Sequence, residues 1–523
     1  FYTAAVCCGK LPGPAPAAVA QRKEGVYHPG MSRDITLEEY RRTLKPDRPT
    51  VGILFTANYW TYDNLDAIDA LIRGMEDHGM NTVPVFFSSV SFTVEGVSGT
   101  KAIVEQYFTE CGKVLIDALV LCTSFSQLTN SRTCQGVGTR DDENYYKHLL
   151  NVPTLHAISI NGDYHDFEED RIGLGKRDIT ANVAYPEIDG NIITVPYAYT
   201  PRRSVKRAVP IPDRIDHLCR LTKGWASLRH KPAAERKIAV LLYQSRPDSG
   251  NIGGAAGLDG IESVASLLNL MIKHGYRVTD VPADGKALIR EILAGVTNDL
   301  DNCSVSTMRQ KAAALVPAKK YAADYAELPV YDRRMTEEQW GAPPGNICVD
   351  GQDIVIPGLL KGNVFIGYQP LRGWADKMEQ NIHDPMLFAQ HQYIAYYRWI
   401  KDVFKADVIM HIGTHGTLEW LPGKNVGLSR TCEPDMILDG VPNIYPYIID
   451  DPGEGIQAKR RTESVVIGHM CPAMARADSY EELDEVLVPL QDYFRLRATA
   501  SPDRRDVLVA QVYDAAKKHD LLK

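Results

Sequence analysis

The sequence predicts an α/β protein of several domains: repeated parallel-sheet (Rossmann- or flavodoxin-like) βαβ units, followed by a third α/β region. Three observations carry this. An order of apolar strand, helix, His-Gly and second strand occurs twice. The strand runs are continuously apolar, as in strands covered on both faces. The 523 residues correspond to about three to four domains on the usual size prior.

In the first copy, VGILFTA leads to a helix over 63–77, His78-Gly79 and the strand NTVPVFF. In the second, KIAVLLY leads to a Gly-rich loop, a helix over 260–273, His274-Gly275 and YRVTDVP. Such repeats make right-handed crossovers and a parallel sheet. His78 and His274 are read as helix-end residues that suit the dipole rather than as ligands. VLIDALVLCTSF and VPTLHAI extend the first sheet, and ANVAYPEIDGNIITVPYAY reads as a turn-linked pair closing it. A helix over 213–229 precedes the second sheet.

The expected organisation is a connector over 1–48, with a short amphipathic helix at 36–44, then α/β domains over 49–205 and 206–335. The third region, 336–523, has a linker (GAPPG) after Trp340 and a helical end. Phe1 in place of Met is read as the start of a fragment or trimmed chain.

Composition excludes several classes. Apolar residues make up 44% and charged residues 24%, which argues against disorder or a fibre. A formal net charge of -8 without a large basic block argues against nucleic acid. No apolar run approaches the ~18 residues of a membrane span, and no signal peptide is apparent. Ten cysteines without a CxxC read as reduced thiols, hence a cytoplasmic protein. The loop SRPDSGNIGGAAGLDG ends at a helix start, where an anion can bind, but it has neither GxGxxG nor a P-loop. No Gly-Lys pair is followed by Ser or Thr, so no nucleotide site is expected in this chain.

The chemistry-bearing residues lie in the third region. ADVIMHIGTHGTLEWLPGK, over 406–424, reads as a buried strand ending at His411, then a glycine-broken turn. His415 and Glu419 are four apart, on one face of any helix through them. Two imidazoles and a carboxylate suit metal binding or proton transfer, although the spacing fits a satisfied core histidine and a solvated glutamate equally well. It is not a closed zinc site. Upstream, Arg372 follows the strand of GNVFIGYQPLRGW. Asp384 and Pro385 then suit N-cap and first helical position, which leaves His383 just outside a helix carrying Phe388, Tyr393, Tyr396, Tyr397 and Trp399. That band reads as core, or as the floor of a pocket for a flat ligand. Downstream, Asp451, Pro452 and Glu454 fit a helix start. Lys459, Arg460 and Arg461 lie on that helix, as a solvated basic face or as a grip for carboxylates.

Three stretches, HDPMLFAQHQYIAYYRWI, HIGTHGTLEWLPGKNVGLS and YPYIIDDPGEGIQAKRR, in this order, closely resemble the large subunit of cobaltochelatase. They are similar, less closely, to the large porphyrin-binding subunit of magnesium chelatase. The likeness continues through NVAYPEIDGNIIT, ERKIAVLLY and GLDGIESV, and so covers nearly everything after about residue 25. Trp420-Leu421 and the run from Asp450 to Gly455 look more like the cobalt branch. The resemblance implies a subunit that binds a tetrapyrrole and inserts a divalent metal as substrate, cobalt first, with magnesium, nickel or iron as alternatives. It further implies an AAA+ ATPase partner that hydrolyses ATP and a second helper subunit. On this reading His411 and His415 deliver metal and accept protons with Glu419 as partner base, and His383 approaches from the helix start. Arg372, Lys459, Arg460, Arg461 and Glu454 contact substrate. Removal of iron from haem, or tetrapyrrole binding without catalysis, are the alternatives.

Overall fold

The computed structural model describes residues 6–10, 21–89, 96–127, 146–202, 207–244, 246, 249–255, 257–299, 305–351, 353–373, 383–414, 416–448, 451–469, 481–496 and 501–519. Two compact units divide the chain at His469/Met470.

The first unit contains two main sheets. The seven-stranded sheet uses β1 (Gly25–Val26), β2 (Thr50–Thr56), β3 (Asn81–Phe87), β4 (Ala118–Cys122), β5 (Thr154–Asn161), β6 (Ile192–Thr200) and β7 (Val209–Pro210), in the order β1-β3-β2-β4-β5-β6-β7. Its central strands, from β3 through β2, β4 and β5 to β6, pair in parallel, as the βαβ reading requires. The six-stranded sheet uses β8 (Ile238–Leu242), β9 (Leu359–Lys361), β10 (Val364–Tyr368), β11 (Val408–Ile412), β12 (Asn443–Ile448) and β13 (Val465–His469), in the order β9-β10-β8-β11-β12-β13.

The segment expected as a connector contributes to the first sheet. β1 pairs with β3, and Thr36 closes a capping box on α1 (Leu37–Arg41), which puts Tyr40 in the core. The first crossover is as expected, with α2 at Asp66–Asp77. The long helix expected at 213–229 is α3 (Pro212–His230), and α4 (Gly260–Lys273) begins at an Asp259 N-cap. His78 and His274 are C-caps, as expected.

Three expectations need correction. YRVTDVP is not a strand. β8 pairs instead with β10, about 120 residues further on, while the Arg277 carbonyl accepts the Asn363 N–H. The pair expected in 181–199 is a helical stretch (Thr180–Ile188) followed by β6 alone, because Asn182 ties the first part to Ser159 O and Asp178. The boundary placed at 335/336 runs through one sheet, since β8 lies between β10 and β11.

Alternation along β8 fills both faces of the second sheet. Ala239 and Leu241 pack with Tyr393, Tyr396 and Ile409, whereas Val240 and Leu242 meet Val264 and Leu268 of α4. The aromatic band is therefore core. Leu428 and Cys432 join the core of the first sheet beside Leu218 and Trp225, so the two sheets share packing. The second unit contains α8 (Glu481–Leu496) and α9 (Pro502–Lys518), joined by contacts of Lys518 and His519 with Glu485, the latter at 3.1 Å.

Candidate active site

Chain order defines a crevice. From β8 the chain goes to β10 on one side, then crosses to β11 on the other and continues outward to β12. The carboxyl ends of β8 and β11 are thus a topological switch point, where open α/β sheets hold ligands. Tyr243 follows β8, Gln369 follows β10, and the loop from Gly413 follows β11. This loop is anchored to its neighbours: Thr414 N–H donates to Gly254 O at 3.0 Å, and Thr417 N–H to Gln369 Oε1 at 3.0 Å. On its far side Lys424 Nζ donates to Glu168 O at 2.9 Å and lies over the Phe167 ring. Loops leaving the carboxyl ends of both sheets therefore touch.

His411 lies on β11 and is 3% exposed. Its Nδ1 is 2.9 Å from Asn443 Oδ1 and its Nε2 is 2.9 Å from the Tyr397 hydroxyl. Burial pushes the imidazole down to about 4, with the Asn443 hydrogen bond opposing, so the ring is neutral. Asn443 Nδ2 donates to Thr462 Oγ1, which leaves its Oδ1 to accept from Nδ1–H; Nε2 then accepts from Tyr397. Neither nitrogen is left for a metal, so the geometry makes His411 a strut rather than the expected metal ligand.

Glu419 is 0% exposed, in a short 3₁₀ turn (Leu418–Trp420) rather than the helix expected through His415 and Glu419. The backbone is diverted because Arg461 takes the carbonyls of Glu419, Leu421 (2.6 Å) and Lys424 (3.0 Å). The Glu419 carboxylate accepts from Tyr445 OH at Oε2, 2.9 Å, and from Gly416 N–H at Oε1, 3.0 Å. A Cβ on Gly416 would collide with that hydroxyl, so glycine is required there. Tyr445 also stacks on His411, centroids 4.7 Å apart and planes 15° from parallel. His411 and Glu419 are thus brought together through Tyr445. His415 lies outside the described residues.

His383 does not precede a helix. Asp384 makes a local turn to Met386 N–H at 2.8 Å, and Arg372 takes the carbonyls of Asp384 and Leu387, so α5 (His391–Arg398) starts later. The His383 side chain is 49% exposed and stands edge-on to Trp420 at 4.5 Å, with Nε2 3.9 Å from Glu454 Oε1. Glu454, on α7 (Pro452–Arg461), accepts from Tyr447 OH at 2.8 Å, and Asp451 caps that helix as expected.

The cations expected to grip carboxylates have internal partners. Arg372 and Arg461 hold backbone, as above, and burial brings Arg372 down to about 10 against the pull of Glu433. Arg460 pairs with Glu187 at 2.7 Å, and Lys459 lies 3.9 Å from the same carboxylate. Glu433, the first residue of α6 (Glu433–Leu438), takes Ala389 N–H at 3.0 and 3.1 Å. Among the described residues no three His, Cys, Asp or Glu side chains converge as a metal site. An apolar cleft of about 380 Å³, lined by Leu228, Leu267, Leu270, Val408, Met410 and Ile444 among others, includes none of the candidate residues.

Sequence reasoning missed Tyr397, Asn443, Tyr445 and Glu433. A signal existed for one. In YPYIID, Tyr445 and Tyr447 are two apart on a strand and share a face, and each holds one of the two carboxylates. Chemically, the crevice offers a fixed carboxylate able to take a proton or a cation, with an imidazole–carboxylate pair beside it.

The family model for CobN/magnesium chelatase matches residues 1–523. Among curated proteins, the chain is 34% identical to the aerobic cobaltochelatase subunit CobN of Pseudomonas aeruginosa, covering 93% of this chain and 38% of that protein. It is 30% identical to the large porphyrin-binding subunit of the magnesium chelatase of Rhodobacter capsulatus, covering 96% and 41%. The solved catalytic subunit of cobaltochelatase from Mycobacterium tuberculosis superposes with a TM-score of 0.73 at 29% identity, over 98% of this chain and 41% of that one. The chain therefore spans about two fifths of the length of these relatives. With the model match running its full length, the chain belongs to the CobN/magnesium chelatase family.

Proposed function

We propose that this chain forms the metal-inserting part of a tetrapyrrole chelatase large subunit, with Glu419 as the group that accepts pyrrole protons. The observation that carries the reading is the Glu419 carboxylate, buried at the switch-point crevice in the motif loop and held by two donors. Insertion requires that water be replaced on the metal, that two pyrrole N–H protons be accepted, and that the macrocycle be held. His383 and Glu454, 3.9 Å apart at the more exposed side, are suited to receive the cation. His415, in the same loop, is the proposed second base. Arg372, Arg461, Lys459 and Arg460 hold the frame of the site, which leaves shape and aromatic contact to hold the ring. Cobalt is the proposed metal, on the likeness of Trp420-Leu421 and the run from Asp450 to Gly455 to the cobalt branch. ATP hydrolysis is assigned to a separate AAA+ partner, because this chain has no P-loop.

The test is Glu419→Gln in the full-length protein, assayed with its ATPase partner, cobalt and a corrin-type ring. Metal insertion falls about 100-fold or more, while tetrapyrrole binding stays within about tenfold. His415→Ala gives the same split. Native insertion by Glu419→Gln sinks the proposal, and release of metal-free porphyrin from haem favours the reverse reaction.

A further inference from the structure

We infer that Tyr445 is a positioning residue for metal insertion: its hydroxyl fixes the orientation in which the Glu419 carboxylate meets the pyrrole N–H. The inference rests on the function proposed above. In the step it serves, the pyrrole N–H bond breaks and its proton goes to a Glu419 oxygen. The electron pair stays on nitrogen and is donated to the metal.

Three elements are shaped around this one hydroxyl. From β12, Tyr445 OH donates to Glu419 Oε2 at 2.9 Å. From β11, the His411 ring lies flat against the phenol, and His411 is itself locked at both nitrogens by Asn443 and Tyr397. From the motif loop, Gly416 has no Cβ where the hydroxyl sits, and its N–H holds the other carboxylate oxygen. A phenol buried for packing alone would be satisfied by any acceptor. Here its acceptor is the only carboxylate of the motif loop, and the opposite donor restrains the same group. With both oxygens tethered, the carboxylate cannot rotate away, and one lone pair on each oxygen remains open to the crevice. The neighbouring Tyr447 repeats the arrangement one strand pitch away, with its hydroxyl on Glu454 at 2.8 Å. β12 thus holds both carboxylates that flank the crevice.

A double-mutant cycle in the full-length protein tests this, with insertion followed by tetrapyrrole absorbance in the presence of the ATPase partner. Tyr445→Phe should lower kcat about tenfold or more with KM within about twofold, the pattern of an interaction used in the transition state. In a Glu419→Gln background the same change should alter kcat less than about twofold, because the residue acts through Glu419. A Tyr445→Phe enzyme with native kcat, beside an inactive Glu419→Gln, overturns this inference alone. A native Glu419→Gln overturns the proposed function as well. Equal losses from Tyr445→Phe in both backgrounds identify a purely structural role and also overturn the inference. If Tyr445→Phe does not fold, Gly416→Ala supplies the second arm: it should displace the carboxylate from the hydroxyl and lower kcat with Tyr445 present, and a native kcat there overturns the inference.

Discussion

His217 on α3 lies 2.8 Å from the Glu463 carboxylate at 1% exposure, which ties a helix of the first sheet to the turn before the last strand of the second. Asp435 approaches the other ring nitrogen at 3.3 Å and is also held by Arg214 at 2.8 Å. Burial opposes the charge on His217, but Asp435 and then Glu463 outweigh it, against Arg214, and raise the imidazole to about 9. A folded-state value above the unfolded ~6.5 stabilises most below pH ~6.5 and is lost as pH rises through about 9. His217→Gln should therefore cost on the order of 3 kcal/mol at pH 6 and little at pH 10. Urea unfolding of both proteins at the two pH values measures this; a pH-independent difference contradicts it.

Glu433 carries the opposite liability. Burial pushes its carboxyl up to about 8, with the Ala389 N–H and Arg372 opposing and Asp332 reinforcing. Burial likewise raises Asp332 to about 7. Because the folded value of Glu433 is above the unfolded one, stability is fullest below about pH 4.5 and falls as pH rises through about 8. Glu433→Gln keeps an acceptor for Ala389 N–H without the charge. It should be near neutral at pH 5 and stabilising by about 1–3 kcal/mol at pH 9. Thermal melts across that range decide it.

Arg461 is expected to act on loop rigidity. Its planar fork meets three carbonyls of residues 419–424, a geometry that an ammonium cannot reproduce. Arg461→Lys should cost about 2 kcal/mol and speed amide exchange across 418–424 about tenfold or more. Unchanged exchange in that peptide counts against the assignment.

Arg460 and Glu187 join α7 to the helical stretch before β6, with side chains 22% and 9% exposed. Alanine at both positions should show a coupling of about 1 kcal/mol in a double-mutant cycle. Simple additivity would mean that the pair contributes nothing across the two sheets.

The βαβ rhythm of residues 50–87 was legible because each element there packs on its sequence neighbour. The second sheet was less so. β8 takes both partners from beyond residue 360, and the β-branched run in YRVTDVP suggested a strand where the backbone only skirts the sheet edge. The candidate site was legible as a motif, not as a geometry. Spacing alone suggested that His415 and Glu419 share a helix, but carbonyls claimed by Arg461 leave only a 3₁₀ turn. Arg460 and Arg461 looked like one basic face, yet successive helix residues point about 100° apart, and these two reach different partners. The role of Tyr445 depended on a partner 26 residues earlier in the chain, which no local pattern encodes.

The central place of β8 bears on how this polypeptide is made. When Ile238–Leu242 leaves a ribosome, neither flanking strand yet exists, and the first to arrive, Val364–Tyr368, is some 120 positions behind it. Until then an apolar pentapeptide has two raw edges, the condition under which strands pair with strangers. Truncations ending between residues 243 and 363 should accordingly accumulate as aggregates, whereas those ending after His469 should not.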